Sequence, residues 1–142
     1  MRSAYPGPTV IYTEIMPELT LTLLRGEYAV CRLNPAEPLP AWATEGEFWT
    51  VSRTAEELSV LCAAQGVPAG VQAQAGWAAL KLEGPFPFDL TGILSSVLDP
   101  LRDAEIGIFA VSTFDTDYVL VSRAQLAGAM AALRAAGHSV RD

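Results

Sequence analysis

The sequence predicts an α+β fold made of two unequal copies of one strand-and-helix unit. Two observations carry this prediction: the second half of the chain shows a βαββαβ order of elements, and parts of that half repeat in the first half. A third observation is the hydrophobic content of 51% in 142 residues, which provides enough apolar side chains for a real core.

The second half shows the clearer periodicity. Its predicted elements are a strand at 77–82, a helix at 91–104, strands at 106–112 and 117–121, a helix at 123–136 and a last strand at 138–140. Pro100 lies inside the first helical pattern, so we expect its last turn to be bent. Ser122 and Gly137 provide start and stop signals for the second helix.

The first half shows shorter patterns. Its predicted elements are strands at 19–24, 28–33 and 48–52 and a helix at 54–65. The segment 25–27 separates the first two runs and predicts a hairpin between them. Thr54 and Glu57 have the spacing of a capping box, and Gly66 can end the helix.

An internal repeat relates the two halves. The segment YAVCRLNPAEP, from Tyr28, matches WAALKLEGPFP, from Trp77, at an offset of 49 residues. The segment EFWTVSR, from Glu47, matches DYVLVSR, from Asp117, at an offset of 70 residues. The two offsets differ by 21 residues, which predicts that the first copy lacks a counterpart of helix 91–104 and most of the next strand.

We therefore expect three segments. They are an N-terminal arm at 1–17, a truncated unit at 18–68 and a complete unit at 69–142.

Charge and composition exclude several classes of function. The net charge of −7, with nine scattered basic residues, argues against nucleic acid binding. No apolar run approaches the 18 residues of a membrane span, and the N-terminus lacks the apolar stretch of a signal peptide. Cys31 and Cys62 form no CxxC pair and are expected to be reduced thiols, so we predict a cytoplasmic protein.

Catalytic patterns are scarce. The single histidine, His138, follows a helix-ending glycine, and the chain has no HExxH, GxGxxG or Walker A motif. We therefore expect no enzyme, no metal and no cofactor. Asp115 and Asp117 flank Thr116 at the tip of a predicted hairpin, where they could serve the turn, bind a ligand or, with few further oxygen ligands nearby, hold a divalent cation.

The strand-to-helix turn at 88–93 is the best candidate for a site. The first N–H groups of a helix lack internal partners and the helix dipole favours an anion there, which suits the carboxylate of an amino acid. Gly92 lets a ligand approach the backbone, and Asp89 or Asp117 could bind an ammonium group or a cationic side chain. Alternatively, Asp89 or Thr91 is simply the N-cap.

Two sequence blocks of the second half carry a family resemblance. GWAALKLEGPFPFDLTGILSSVLDPL, followed by GIFAVSTFDTDYVLV, resembles the small free-standing ACT-domain proteins related to the CASTOR arginine sensors. In the first half, LRGEYAVCRLNP and FWTVSRTAEELSVLC resemble the shortened N-terminal ACT-like unit of that family. The resemblance covers about residues 18–141 and is most specific in STFDTDYVLV.

The resemblance implies two ferredoxin-like ACT units, with antiparallel sheets, helices on one face and a small ligand held at an interface between units. The ligand-binding positions that it implies are Leu90, Gly92, Ile93, Gly107, Ile108, Thr113, Phe114 and Asp117. The strand-to-helix turn at 88–93 adds Asp89 and Thr91 to these predicted ligand-binding positions. Because the first copy lacks the turn, we expect one site for each chain, in the second copy.

We therefore expect a non-catalytic regulatory module that binds an amino acid or a similar small ligand at an ACT–ACT interface. A homodimer would complete the site and cover apolar surface. Two alternatives stay open: an interaction or dimerisation module that has lost its ligand, and a small enzyme that uses Asp89 and Asp117 as an acid–base pair.

Overall fold

The computed structural model describes residues 17–87 and 91–142. Within these residues the regular elements, in chain order, are β1 (Thr20–Leu23), β2 (Tyr28–Leu33), β3 (Thr50–Arg53), β4 (Leu58–Ala63), β5 (Gln72–Leu82), α1 (Ile93–Asp103), β6 (Ile108–Ser112), β7 (Asp117–Ser122), α2 (Leu126–Ala135) and β8 (Ser139–Arg141). Short 3-10 turns lie at Ala41–Thr44, Ala64–Gly66 and Arg123–Gln125. The predicted arm falls almost entirely outside the described residues.

All eight strands form one sheet around the long strand β5. Trp77 of β5 pairs with Tyr28 of β2 on one edge and with Ser122 of β7 on the other. The strand order is therefore β3-β4-β2-β5-β7-β6, and β1 and β8 extend the sheet beyond the second half of β5. Every pairing is antiparallel except that of β1 with β8.

The predicted hairpin between residues 19 and 33 is wrong. Strands β1 and β2 lie end to end along the same edge of β5, and Gly26, at φ +81°, lies in the turn between them. The Leu24 N–H donates to the Ala79 carbonyl at 2.9 Å and extends the β1–β5 ladder towards β2. The 11 residues of β5 are long enough to pair with two short strands in succession. As a result β1, from the predicted first unit, pairs within the sheet of the second.

Strand register confirms one of the two repeat offsets and corrects the other. Tyr28 pairs with Ala63 as Trp77 pairs with Ser122, so β2 and β5 are equivalent at the offset of 49. The same pairs place β4 and β7 at an offset of 59, and the 70-residue match is wrong. The first copy is ten residues shorter, and the shortening lies between β2 and β3. It removes the counterpart of α1 but retains β3, the counterpart of β6.

The predicted helix at 54–65 is also wrong. The Thr54 Oγ accepts the N–H groups of Glu56 and Glu57 at 3.1 and 3.2 Å, and so closes a hairpin turn between β3 and β4. A threonine can bond to these N–H groups in a turn as well as at a helix start, so the capping-box spacing was ambiguous. Both faces of β4 are largely buried, which hides the alternation of a strand.

The helix-side face of the sheet is covered differently in the two units. In the second unit, α1 and α2 pack on the sheet through fully buried side chains such as Val97 and Leu133. In the first unit, the Ala41–Thr44 turn covers the equivalent face, with Ala43 completely buried. The protein is therefore α+β with helices on one face of a mainly antiparallel sheet, and its first unit is truncated.

Aromatic pairs lie on the opposite face of the sheet, and one of them joins the two units. Phe48, which precedes β3, stacks on Tyr118 of β7 with ring centroids 4.1 Å apart, and meets Tyr28 edge-on at 5.9 Å. Trp77 and Phe109 form a second edge-on pair at 4.7 Å. The stack of Phe48 on Tyr118 holds the first unit against β7.

No helix in residues 17–87 or 91–142 has the length and apolar character needed to cross a membrane.

Candidate functional site

Helix α1 begins with several N–H groups that have no partner inside the helix. Gly92, at φ +83°, precedes the first helical residue, and no side chain among the described residues caps the helix. The first bond within the helix runs from the Ser96 N–H to the Gly92 carbonyl at 3.0 Å. The N–H groups of residues 93–95 are therefore open to an acceptor within the part of the chain that the structure describes.

The hairpin tip between β6 and β7 is held by its threonines. Thr113 and Thr116 bond to each other through backbone and side chain, and the main-chain bond, from the Thr113 N–H to the Thr116 carbonyl, measures 2.8 Å. The buried Thr116 hydroxyl donates to the Leu82 carbonyl at 2.5 Å. The Phe86 N–H donates to the Asp115 carbonyl at 2.9 Å. These bonds fix the tip against the segment that follows β5.

The start of α1 and this hairpin tip form the walls of a cleft of about 510 Å³, which we call the α1 cleft. Its lining residues are 86–87, 92–95, Leu98 and 112–117. Asp117, at its rim, accepts a hydrogen bond from the Ser112 hydroxyl through Oδ1. The described lining holds two carboxylates, Asp115 and Asp117, and no lysine or arginine. The cleft thus offers N–H groups on one wall and carboxylates on the other.

The structure brings half of the predicted site residues together at this cleft. Those that line it are Gly92, Ile93, Thr113, Phe114 and Asp117. Thr91 is exposed next to the cleft without lining it, and Gly92 rather than Thr91 is the N-cap. Gly107 and Ile108 lie at the opposite end of β6 from Ser112. Asp89 and Leu90 lie outside the described residues.

Sequence reasoning missed several lining residues. Leu94 and Leu98 are only partly buried and border the cleft. Their i,i+4 spacing places them on one face of the helix, which was the available signal. No sequence pattern indicated that Phe86 and Pro87 would line the cleft, because only the tertiary fold places them beside the hairpin tip.

A buried histidine supports the helix that lines the cleft. Pro100 has no N–H to donate to the carbonyl of Ser96, four residues earlier. The His138 Nε2 lies 2.8 Å from that carbonyl, and its Nδ1 accepts the Leu19 N–H at 3.0 Å. Because Nδ1 accepts a hydrogen bond, the proton is on Nε2. The Nε2–H therefore donates to the Ser96 carbonyl in place of the N–H that Pro100 lacks. His138 therefore has a structural role, linking α1 to β1.

The clearest pKa shifts lie away from the cleft, in the first unit. Burial, with smaller contributions from Glu47 and Tyr118, raises the pKa of Tyr28. Burial raises the pKa of Cys31, and burial together with the adjacent Cys31 raises that of Cys62 to about 11. Within the described residues, no three His, Cys, Asp or Glu side chains lie close enough together to hold a metal ion.

Family models match both halves of the chain. An ACT domain family model matches residues 72–135, and a second model, described as an N-terminal domain, matches residues 26–70. The human protein CASTOR3P is 31% identical over 96 residues, which cover 58% of this chain. The match spans 59% of the length of that human protein.

Solved structures show the same fold. Protein Atu0741 from Agobacterium tumefaciens is 44% identical, with a TM-score of 0.83 over 87% of this chain and 92% of that one. The regulatory subunit of aspartate kinase from Thermus thermophilus has a TM-score of 0.59 over 82% of this chain and 96% of that one. At 9% identity, the second likeness concerns the fold alone.

ACT domains are regulatory modules that commonly bind amino acids. The family match over the second unit, together with the shared fold, leads to one conclusion: residues 72–135 of this chain form an ACT domain.

Proposed function

We propose that this protein is a non-catalytic regulatory module that binds an amino acid in the α1 cleft. One observation carries the proposal: the cleft places open helix N–H groups opposite the carboxylates of Asp115 and Asp117. An amino acid carries an anion and a cation a few bonds apart, and each would meet its complement here.

Each wall of the cleft would take a different part of the ligand. The carboxylate would accept from the N–H groups of residues 93–95, where the helix dipole adds to the attraction. The ammonium group would lie against Asp117, whose second carboxylate oxygen is not used by Ser112. The apolar side chains of Phe86 and Leu98 would contact the rest of the ligand. With two acids and no base in the described lining, ligands with a second cationic group should bind more tightly than acidic ones.

A homodimer belongs to this proposal. Phe114, 78% exposed at the cleft rim, is an apolar contact point for a second copy. Gly107 and Ile108, at the far end of β6, can contribute only to a site that a second copy completes. The division into units at 18–68 and 69–142, a cytoplasmic location and the lack of nucleic acid, membrane and cofactor partners stay predictions.

A thermal-stability screen with the amino acids at millimolar concentration tests the proposal. A ligand at 100 times its dissociation constant should add about 2.7 kcal/mol to the free energy of unfolding. Asp117→Asn should weaken that ligand at least about tenfold, because a charge-assisted bond is worth about 1.5–3 kcal/mol. Asp103→Asn, on the same chain but at the other end of α1, is the matched control and should bind as the wild type does.

The runner-up is an interaction or dimerisation module that has lost its ligand. It predicts no stabilisation by any amino acid, together with partner binding that is unchanged by Asp117→Ala and Gly92→Ala. That combination of results would overturn the proposal. Turnover abolished by Asp89→Asn or Asp117→Asn would instead support the acid–base enzyme.

A further inference from the structure

A second cleft, of about 300 Å³, lies between the two units and shares no residue with the α1 cleft. We call it the inter-unit cleft. The first unit lines it with Val30, Thr50, Ser52, Ser59 and Leu61, and the second with Phe109, Ala110 and Val111 of β6. Its outer walls, β3 and β6, are the two ends of the strand order β3-β4-β2-β5-β7-β6. The sheet therefore curls until its ends face each other.

The two walls of the inter-unit cleft differ in chemistry. Thr50, Ser52 and Ser59 place three hydroxyls on the first-unit wall, and in the described part of the chain these hydroxyls bond to no other protein group. Strand register makes Thr50 the equivalent of Phe109 and Ser52 the equivalent of Val111. The first copy thus presents hydroxyls where the second presents an aromatic ring and a branched side chain.

This difference points to a ligand rather than to packing. Two sheet faces that only packed together would match apolar side chains on both walls. Hydroxyls opposite an apolar wall instead suit a molecule with one polar and one apolar end. The described lining has no charged side chain, so the cleft has no partner for an ammonium or carboxylate group.

Volume limits the size of the ligand. The cleft holds the volume of about ten water molecules, and so a ligand of about ten non-hydrogen atoms. We propose that the inter-unit cleft is a second ligand site, which binds a small uncharged molecule with a hydroxyl or amide at one end and an aromatic or branched apolar group at the other. This site does not depend on the ligand of the α1 cleft.

Titration of the full chain with 2-phenylethanol, followed by methyl NMR, tests the proposal. The probe has an aromatic ring and one hydroxyl, and we expect saturable shifts of the Val30, Leu61 and Val111 methyl signals. Phenylalanine has the same ring with two charges and should leave these signals unchanged at equal concentration. No saturable shift at these methyl groups with 2-phenylethanol, or equal binding of phenylalanine, would overturn the proposal.

Variants that install second-unit residues provide the matched test. Thr50→Phe fills the cleft and should weaken the binding of 2-phenylethanol at least about tenfold. Ser52→Val replaces one exposed hydroxyl with the branched apolar group that the second unit has at this position, and it should weaken binding of 2-phenylethanol on the order of fivefold. Ser139→Val, a similar change on exposed β8, is the control. If Thr50→Phe does not fold, Ser52→Val still decides, because unchanged affinity in that variant contradicts a hydroxyl-lined site.

Discussion

The two units share their strand register pair by pair but differ in what covers the helix side of the sheet. The first unit has the 3-10 turn Ala41–Thr44 in place of α1 and, in residues 26–71, no counterpart of α2, and its connection from β2 to β3 is ten residues shorter than the equivalent connection from β5 to β6. Both units retain the same hairpin turn: Thr54 and Thr113 occupy equivalent positions and donate their N–H groups to Glu57 and Thr116. Strand pairing and turns survive the loss of the helices.

Side-chain size explains why a 3-10 turn is enough to cover the helix-side face of the sheet in the first unit. Cys31 and Cys62 occupy the positions of Leu80 and Val121, so the face to be covered has less volume. The difference also separates the units in function. A cleft of the α1 type needs a helix start beside a hairpin tip, and only the second unit has both in the described residues.

Truncation of equivalent core residues in the two units should lower the free energy of unfolding by unequal amounts. Leu80→Ala should destabilise the protein by about 2–5 kcal/mol, because it leaves a cavity between the sheet and the helices. Cys31→Ala, at the equivalent position, should cost about 1 kcal/mol, because a smaller side chain is removed. Urea unfolding of both variants measures the difference, and equal costs would mean that the thinner cover packs as firmly as the helices do.

The proline should account for about half of the contribution that His138 makes to stability. His138→Ala leaves the Ser96 carbonyl and the Leu19 N–H without partners and should cost about 2–4 kcal/mol. Pro100→Ala provides the missing helical N–H, so in that background His138→Ala should cost about half as much. A double-mutant cycle by urea unfolding measures this coupling. Additive losses would contradict the assigned link between proline and histidine.

The buried thiol of the first unit should make stability depend on alkaline pH. The Cys62 thiol keeps its proton up to a pKa of about 11 when folded, against 9.0 in an unperturbed thiol. Between these values the unfolded chain binds fewer protons, so this contribution is complete below pH 9 and decreases as the pH rises. The loss should reach about 2 kcal/mol by pH 11.

Cys62→Val installs the residue of the second unit, Val121, and is the control for this effect. Unfolding measured from pH 8 to pH 11 in both proteins isolates the thiol. The same slope in wild type and variant would show that other groups cause the loss.

Local patterns in the sequence determined much of the second unit. The helical period, the β6–β7 turn signals and the start of a helix near residue 91 depend on neighbouring residues, and the structure has each within a few positions. The 49-residue repeat was readable because equivalent strands carry equivalent faces. Five of the predicted site residues line the α1 cleft for the same reason, since the turn and the hairpin tip are both local features.

Tertiary structure decided what depends on a distant partner. The apolar pattern of residues 58–63 is compatible with a helix as well as with a strand. Pairing with β2 and β3 makes this segment a strand. The edge of β5, rather than local turn chemistry, kept β1 and β2 from forming a hairpin. Phe86 and Leu98 reached the cleft only through packing. A sequence records local hydrogen bonding and periodicity, but a sheet edge accepts any strand that reaches it, so the choice of partner depends on the whole chain.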